Sequence, residues 1–386
     1  MWILLGGILF TILAVCADLI LYQFFMQLSK TAGIIYAVFG LSSLIFCLAF
    51  ITIYGLHLIY FHDLRWAVFA FLLLNVPKLF FLLFWLLAIF PFKTSFGKNK
   101  LKMYLCLILD LVVIGMIIHG GLIGRTRLII KKAEIPSERL PDSFDGFRIV
   151  HFSDFHLGSF GKRTQFVQRV VNRINGLHPD IVFFTGDIVN DRSVELEPFL
   201  NIMGQIKAPY GVYSVLGNHD YGDYYDWEYP EDKIQNLKRL QKIQEGWGWV
   251  ILNNEFVYIE KDGDRIALLG VENWGDPPFQ QYGNLREAYE EVDKDAFAIL
   301  LSHNPIHWSE EVLPDTDIDL TLSGHTHAFQ IRFGNISPAA LRYRDWAGLY
   351  QEGEQYLYVN QGVGNTFYPM RIGAFPELTV IELRKK

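Results

Sequence analysis

The chain is short of charge and nearly devoid of cysteine. Of its 386 residues only 19% are Asp, Glu, Lys or Arg, whereas 51% are hydrophobic and 15% aromatic. That balance is too apolar for an ordinary soluble protein. The three cysteines, Cys16, Cys47 and Cys106, all precede residue 123, so the remainder has neither a disulfide framework nor a thiolate metal site. A domain of that size needs no disulfide, so the compartment stays open. There is no internal repeat, collagen period or low-complexity tail. With a net charge of −7, the chain is not expected to bind nucleic acid.

What charge there is divides unevenly. Residues 1–122 hold seven basic and three acidic residues, a net +4, which leaves −11 for the other 264 residues. Four apolar stretches, roughly 2–24, 33–60, 67–92 and 103–123, fill the first part, and each reaches the about 20 residues that a bilayer core requires. A signal peptide would account only for the first, which lacks a basic leading segment. Residues 1–123 are therefore expected to form a four-helix transmembrane bundle. Asp18, Lys78 and Asp110 lie within the spans, where charges face the bundle interior and pair. Lys78 is expected to meet Asp18 or Asp110, as an internal lock rather than an ion path. An even number of spans puts the amino terminus and the large domain on one side. Basic residues balance five against five, and the lysine cluster of the 92–102 loop tips the domain toward the outside of the cytoplasm.

Residues 124–146 read as a linker that already contains a strand near Arg127–Ile135. From 147 to 386, apolar runs alternate with amphipathic stretches. "FRIVHF", "DIVFFTG", "YGVYSVLG", "DRIALLGV", "AFAILLSH" and "DIDLTLSG" read as strands, "TQFVQRVVNRINGL" as a helix, and "EKDGDR" as a hairpin turn. The fold class is α/β, a layered domain of buried strands with helices between them. Polar residues fall where the strands end: Asp154 and His156, Asp187, Asn218 and His219, His303, then His325 and His327. Open α/β sheets bind ligands at the carboxyl ends of their strands.

Asp154, Asp187, Asn218, His156, His303, His325 and His327 offer more donors than one ion can take and enough for two that share a carboxylate. A mixed N/O set without thiolate suits manganese, iron or zinc. Two such ions about 3.5–4 Å apart can clamp a phosphoryl group, with a bridging water, once deprotonated, as the nucleophile. Taken singly, each piece has a plainer explanation. An Asp-x-His can be a surface pair, "GD" and "GNHD" turns, and "SHNP" a loop with a satisfied histidine. Two histidines one residue apart after a buried strand, in "SGHTH", are harder to explain without a ligand.

The set "SDFHLG", "TGDIV", "LGNHD", "LSHNP" and "SGHTH" resembles the calcineurin-like metallophosphoesterase superfamily from about residue 145 onward. The tail "VNQGVGNTFYPMRIGAFPELTVIEL" is similar to that of its membrane-anchored bacterial branch, which includes UDP-2,3-diacylglucosamine pyrophosphatases. The resemblance implies a two-sheet sandwich in which Asp154, His156 and His327 hold one metal. Asn218, His303 and His325 would hold the other, with Asp187 bridging. It further implies that His219 acts on the scissile phosphate while Asp220 orients it, and that the chain sits in a bacterial cytoplasmic membrane. One departure is Ala328-Phe329, where that branch commonly has two glycines. Arg371, Arg342 and Arg344 are candidate phosphate clamps. The stretch "YGDYYDWEYPED" after Asn218-His219-Asp220 is either a substrate rim facing lipid or a loop packed on its own domain. A lipid-linked phosphate or pyrophosphate is the expected substrate, with soluble nucleotides or phosphoproteins as the alternative. A metal-binding scaffold or a transporter remains a further alternative.

Overall fold

The structure, a computed structural model, describes residues 2–55, 64–89, 100–277 and 280–386. Two compact units emerge, Met1–Ile123 with Phe367–Met370 and Gly124–Thr366 with Arg371–Lys386.

The first unit contains helices α1 (Trp2–Leu28), α2 (Lys30–Gly55), α3 (Arg65–Ile89) and α4 (Lys100–Leu122). All four are long and apolar enough to cross a membrane, and Leu, Ile, Val and Phe cover much of their exposed surface. Polarity is turned inward. Lys78, only 4% exposed, places Nζ 2.8 Å from Asp18 Oδ2 and 3.0 Å from Ser43 Oγ. Tyr36 donates to the other Asp18 oxygen at 2.7 Å. Of the two expected partners, Asp18 is the one that Lys78 meets. Lys93 and Lys98, central to the orientation expectation, lie outside the described residues.

The second unit carries two six-stranded sheets. The first comprises β1 (Ile129–Ser137), β2 (Arg148–Phe152), β3 (Ile181–Thr185), β4 (Val212–Val215), β5 (Trp249–Ile251) and β12 (Glu377–Lys385), in the order β1-β12-β2-β3-β4-β5. The second comprises β6 (Glu255–Lys261), β7 (Asp264–Gly270), β8 (Ala298–Leu301), β9 (Leu320–Ser323), β10 (Gly348–Glu352) and β11 (Gln355–Val359), in the order β10-β11-β9-β8-β7-β6. The expected hairpin joins β6 to β7, with Lys261 opposite Asp264 and positive φ at Asp262 and Gly263.

Continuous apolar strands serve two faces at once. Ile149, Ile181 and Phe183 face the second sheet's Leu268, Ile299 and Leu322 in the central core. Val150, Phe152, Val182 and Phe184 turn outward to Phe166, Val167, Val170, Val171 and Ile174 of helix α5 (Thr164–Asn175). The strands that precede the polar motifs run parallel to one another within each sheet, β2-β3-β4 in the first and β8-β9 in the second. Their carboxyl ends therefore open along one rim. Edge strand β1 tolerates Pro136, which has no N–H to give to a second neighbour.

Candidate metal centre

The expected ligands converge in two nests with one oxygen between them. In the first, His327 Nε2 lies 3.1 Å from His156 Nε2 and 3.2 Å from Asp154 Oδ1. One donor atom from each of Asp154, His156, Asp187 and His327 fits within 4.8 Å of the others. In the second, His303 Nε2 lies 3.2 Å from both Asn218 Oδ1 and His325 Nδ1. Asp187 Oδ2 is 3.5 Å from His156 Nε2 and 3.3 Å from His303 Nε2, so it faces both nests.

The backbone is bent to achieve this. Asp154, His156, Asp187, His325 and His327 all have φ between 46° and 69°, a left-handed conformation that costs a non-glycine residue about 1–2 kcal/mol. The motif glycines let the loops approach. A Cβ on Gly217 would run into Asp187 Oδ1, and one on Gly324 into Asp154 Oδ2.

A second ring of contacts orients the imidazoles. His156 Nδ1 lies 3.1 Å from Val189 O and His303 Nδ1 lies 2.6 Å from Thr185 O, so each ring donates outward and leaves Nε2 for the nest. Tyr224 accepts from Asn218 Nδ2 at 2.8 Å, which turns the amide oxygen inward. The Tyr343 hydroxyl stands 3.0 Å from His325 Nε2, leaving Nδ1 for the second nest. Sequence reasoning missed these partners. Backbone carbonyls have no residue signature, and Tyr343 lies sixteen positions beyond the last motif histidine.

The electrostatics keep both carboxylates ionised, and burial presses three of the four imidazoles down. At His303 burial lowers the pKa, but Asp187 more than offsets it and raises it to about 9. Burial would push the Asp154 carboxyl up, but His327 beside it holds it below the usual range. Burial acts likewise on Asp187, and His303 reverses it. Burial, then the neighbouring His303, press His325 down to about 3. Two carboxylates and four imidazoles, buried together with no lysine or arginine among the ligand atoms, fit divalent ions of mixed N/O preference.

His219 is not in either nest. Its N–H donates to Asp187 Oδ1 at 2.9 Å, and its Nδ1 lies 2.5 Å from Asn190 O. Burial lowers its pKa, but Asp187 and Asp191 more than compensate and leave it raised. The expected orientation of His219 by Asp220 is not what is found. Asp220 accepts N–H bonds from Asp187, Ile188, Val189 and Gly217 at 2.8–3.3 Å. It therefore ties two motif loops together, and the Asn190 carbonyl orients the ring.

The arginines separate. Arg371 has no exposed surface and donates to the carbonyls of Gly364, Gln361 and Ala374 at 2.8–2.9 Å, with Nη2 3.0 Å from His327 Nδ1. A guanidinium so enclosed cannot clamp substrate; it supports a ligand. Arg344 is also corrected: it is largely exposed and pairs with Glu352 and Asp345. Arg342 pairs with Asp276 beside the Tyr343 hydroxyl, which keeps it at the edge of the second nest. The aromatic stretch packs largely on its own domain. Tyr221 stacks on Tyr282 with centroids 4.0 Å apart, and Trp227 Nε1 donates to Gly222 O at 2.7 Å. At the departure noted above, Ala328 and Phe329 have φ of 49° and 46°. The backbone is one that glycine adopts freely, and this chain adopts it without glycine.

The family model described as calcineurin-like phosphoesterase matches residues 147–329. An uncharacterized metallophosphoesterase of Bacillus subtilis, YkuE, is 32% identical over 288 residues, covering 70% of this chain and 92% of that protein. A transmembrane protein with metallophosphoesterase domain from Danio rerio is 31% identical over 286 residues, covering 72% of this chain and 62% of that protein. Among solved structures, TT1561 of Thermus thermophilus is 13% identical, with coverage of 56% of this chain and 90% of that one and a TM-score of 0.36.

Proposed function

The chain belongs to the calcineurin-like phosphoesterase family, and on that premise we propose that it is a two-metal hydrolase cleaving a phosphoester or pyrophosphate bond of a lipid-linked substrate. The observation that carries the two-metal reading is Asp187 Oδ2, 3.5 Å from the nitrogen of one nest and 3.3 Å from that of the other. Asp154, His156 and His327 would hold one ion and Asn218, His303 and His325 the other, with Asp187 shared. Manganese, iron or zinc bound there would supply Lewis acidity toward the phosphoryl oxygens and an acidified water.

The chain's own residues do the rest. Asn190 and Asp187 fix the His219 ring and backbone at the rim of the nests, where Nε2 can donate a proton to the leaving oxygen. Burial lowers the pKa of that ring, and charge from Asp187 and Asp191 more than offsets it and raises it. Arg342, held by Asp276, would meet a second phosphate of a pyrophosphate substrate.

Support for a lipid-linked substrate comes from the four membrane-capable helices, which raise the effective concentration of anything confined to the same bilayer. By resemblance, a UDP-linked acylated sugar is a specific candidate. The same resemblance suggests a bacterial cytoplasmic membrane, and the lysine cluster of the 92–102 loop is the feature that favours a catalytic domain outside the cytoplasm. The test is to assay the full chain with manganese against extracted membrane lipids and a panel of soluble phosphoesters in parallel, with metal analysis of the same sample. Two equivalents of metal and release of phosphate or nucleotide from the lipid fraction are expected. Turnover of the soluble panel alone would remove the lipid substrate, and metal binding without any turnover would make the protein a scaffold.

A further inference from the structure

The segment that follows the last metal-ligand candidate holds apolar side chains out of the domain. Phe333 is 52% exposed, Ile336 74% and Leu341 92%. The backbone that carries them is well anchored. Phe333 and Ile336 exchange N–H···O bonds of 2.8 and 3.0 Å across a turn containing Gly334. Ser337 Oγ donates to Ala328 O at 2.7 Å, and Ala328, Ala339, Tyr343 and Trp346 form a small core beneath. A domain that can bury alanine and tryptophan here leaves Phe333, Ile336 and Leu341 outside, and anchored, exposed apolar side chains of that kind mark an interaction surface.

Charge indicates what the surface meets. Between Asp319 and Asp345 there is no acidic residue, whereas Arg332, Arg342 and Arg344 all lie there. This basic interval stands in a part of the chain whose net charge is −11. Arg332 stacks over Trp346, its guanidinium 5.1 Å from the ring. Arg344 holds Glu352 in an exposed pair, an interaction weak enough for a phosphate to displace. Apolar tips flanked by arginine suit the boundary between acyl chains and anionic headgroups. The same chain carries four helices long and apolar enough to cross a membrane, which would tether this domain to such a boundary.

We infer that Phe333, Ile336 and Leu341 insert into the bilayer surface, with Arg332 and Arg344 at the lipid phosphates. The insertion begins six residues after His327, so it would bring the metal nests to headgroup level. It does not require that the substrate be a lipid, and its test is separate from the substrate assay.

The test uses the full chain with Cys16, Cys47 and Cys106 replaced by alanine and a single nitroxide at Ile336→Cys or Leu341→Cys. Vesicles of phosphatidylcholine and phosphatidylglycerol hold the protein. Glu354→Cys is the reference, since that side chain is 75% exposed in the β10–β11 turn. Nitroxides at 336 and 341 should be severalfold less accessible to a water-soluble nickel chelate than at 354, and more accessible to oxygen. Nickel accessibility equal to that at 354 would overturn the inference. So would protection from both reagents with spin–spin broadening, which would mean that a second copy covers the patch. Benzoylphenylalanine at position 341 of the otherwise unaltered chain reads the same contact without cysteine replacement. Lipid photoadducts are expected there, and their absence would overturn the insertion.

Discussion

Replacing Arg371 with methionine should unfold the domain before it affects substrate binding. The side chain makes at least four hydrogen bonds inside the protein, three to backbone carbonyls and one to His327 Nδ1. Bonds from a charged donor are each worth about 1.5–3 kcal/mol, and removing one partner of a buried charged network typically costs about 3–5 kcal/mol once the desolvation of the guanidinium is recovered. For a domain of this size, each kcal/mol moves the melting temperature by about 2–4 °C. Arg371→Met should therefore lower it by roughly 6–20 °C on the same scale, read by near-ultraviolet circular dichroism of the full chain in detergent. Metal affinity should fall as well, because His327 loses its lateral support. Arg371→Lys, which keeps the charge but cannot reach all four acceptors, should fall between. An unchanged melting temperature together with a raised KM for phosphoester would refute the reasoning and restore Arg371 as a clamp.

Other outcomes can be checked alongside. Asp187→Ala should lose both metal equivalents and essentially all turnover, whereas His219→Ala should keep its metal and lose about 10²–10⁴ in kcat, separated by metal analysis and steady-state assay. Lys78→Met or Asp18→Asn alone should destabilise the helical bundle more than the two together, because each single change strands a polar partner at membrane depth; thermal aggregation in detergent measures this. Phe329→Gly should stabilise the domain by about 1 kcal/mol, by releasing a left-handed residue, and denaturant midpoints will show the sign. A chain shortened to residues 124–386 should fold without the helices, with a near-ultraviolet spectrum matching that of the full domain.

The convergence of the candidate ligands was legible because each follows an apolar run, and runs buried on both faces are the strongest strand signal a sequence carries. The strand containing Ile149 and Phe152 and the helix containing Phe166 and Ile174 were legible for the same reason of period. What was lost lacks such a pattern. Strand β5 has only three residues, too few for any alternation to declare itself. Thr185, Val189 and Asn190 act through carbonyls that every residue possesses. Arg371 was misread because the usual state of an arginine is exposed, and only the fold reveals the three carbonyls enclosing it. The role of Asp220 was carried over from the resemblance alone, whereas the turn directs its carboxylate into the neighbouring loop. Ala328 and Phe329 were visible as an anomaly, and their positive φ is the physical reason that glycine would suit both positions better.

Strand β1 leads from the last helix, yet its sheet partner is β12, with Ile129 opposite Glu377 and Ser137 opposite Lys385. During synthesis, the first strand of the domain must wait for nearly the whole remaining chain to leave the ribosome before it can pair. The nascent domain meanwhile exposes an open sheet edge, because contacts so distant in sequence form slowly. A premature stop before residue 377 would strand β1 and uncover β2 at once, leaving a membrane-tethered chain with two unpaired edges for the cell's quality control to recognise.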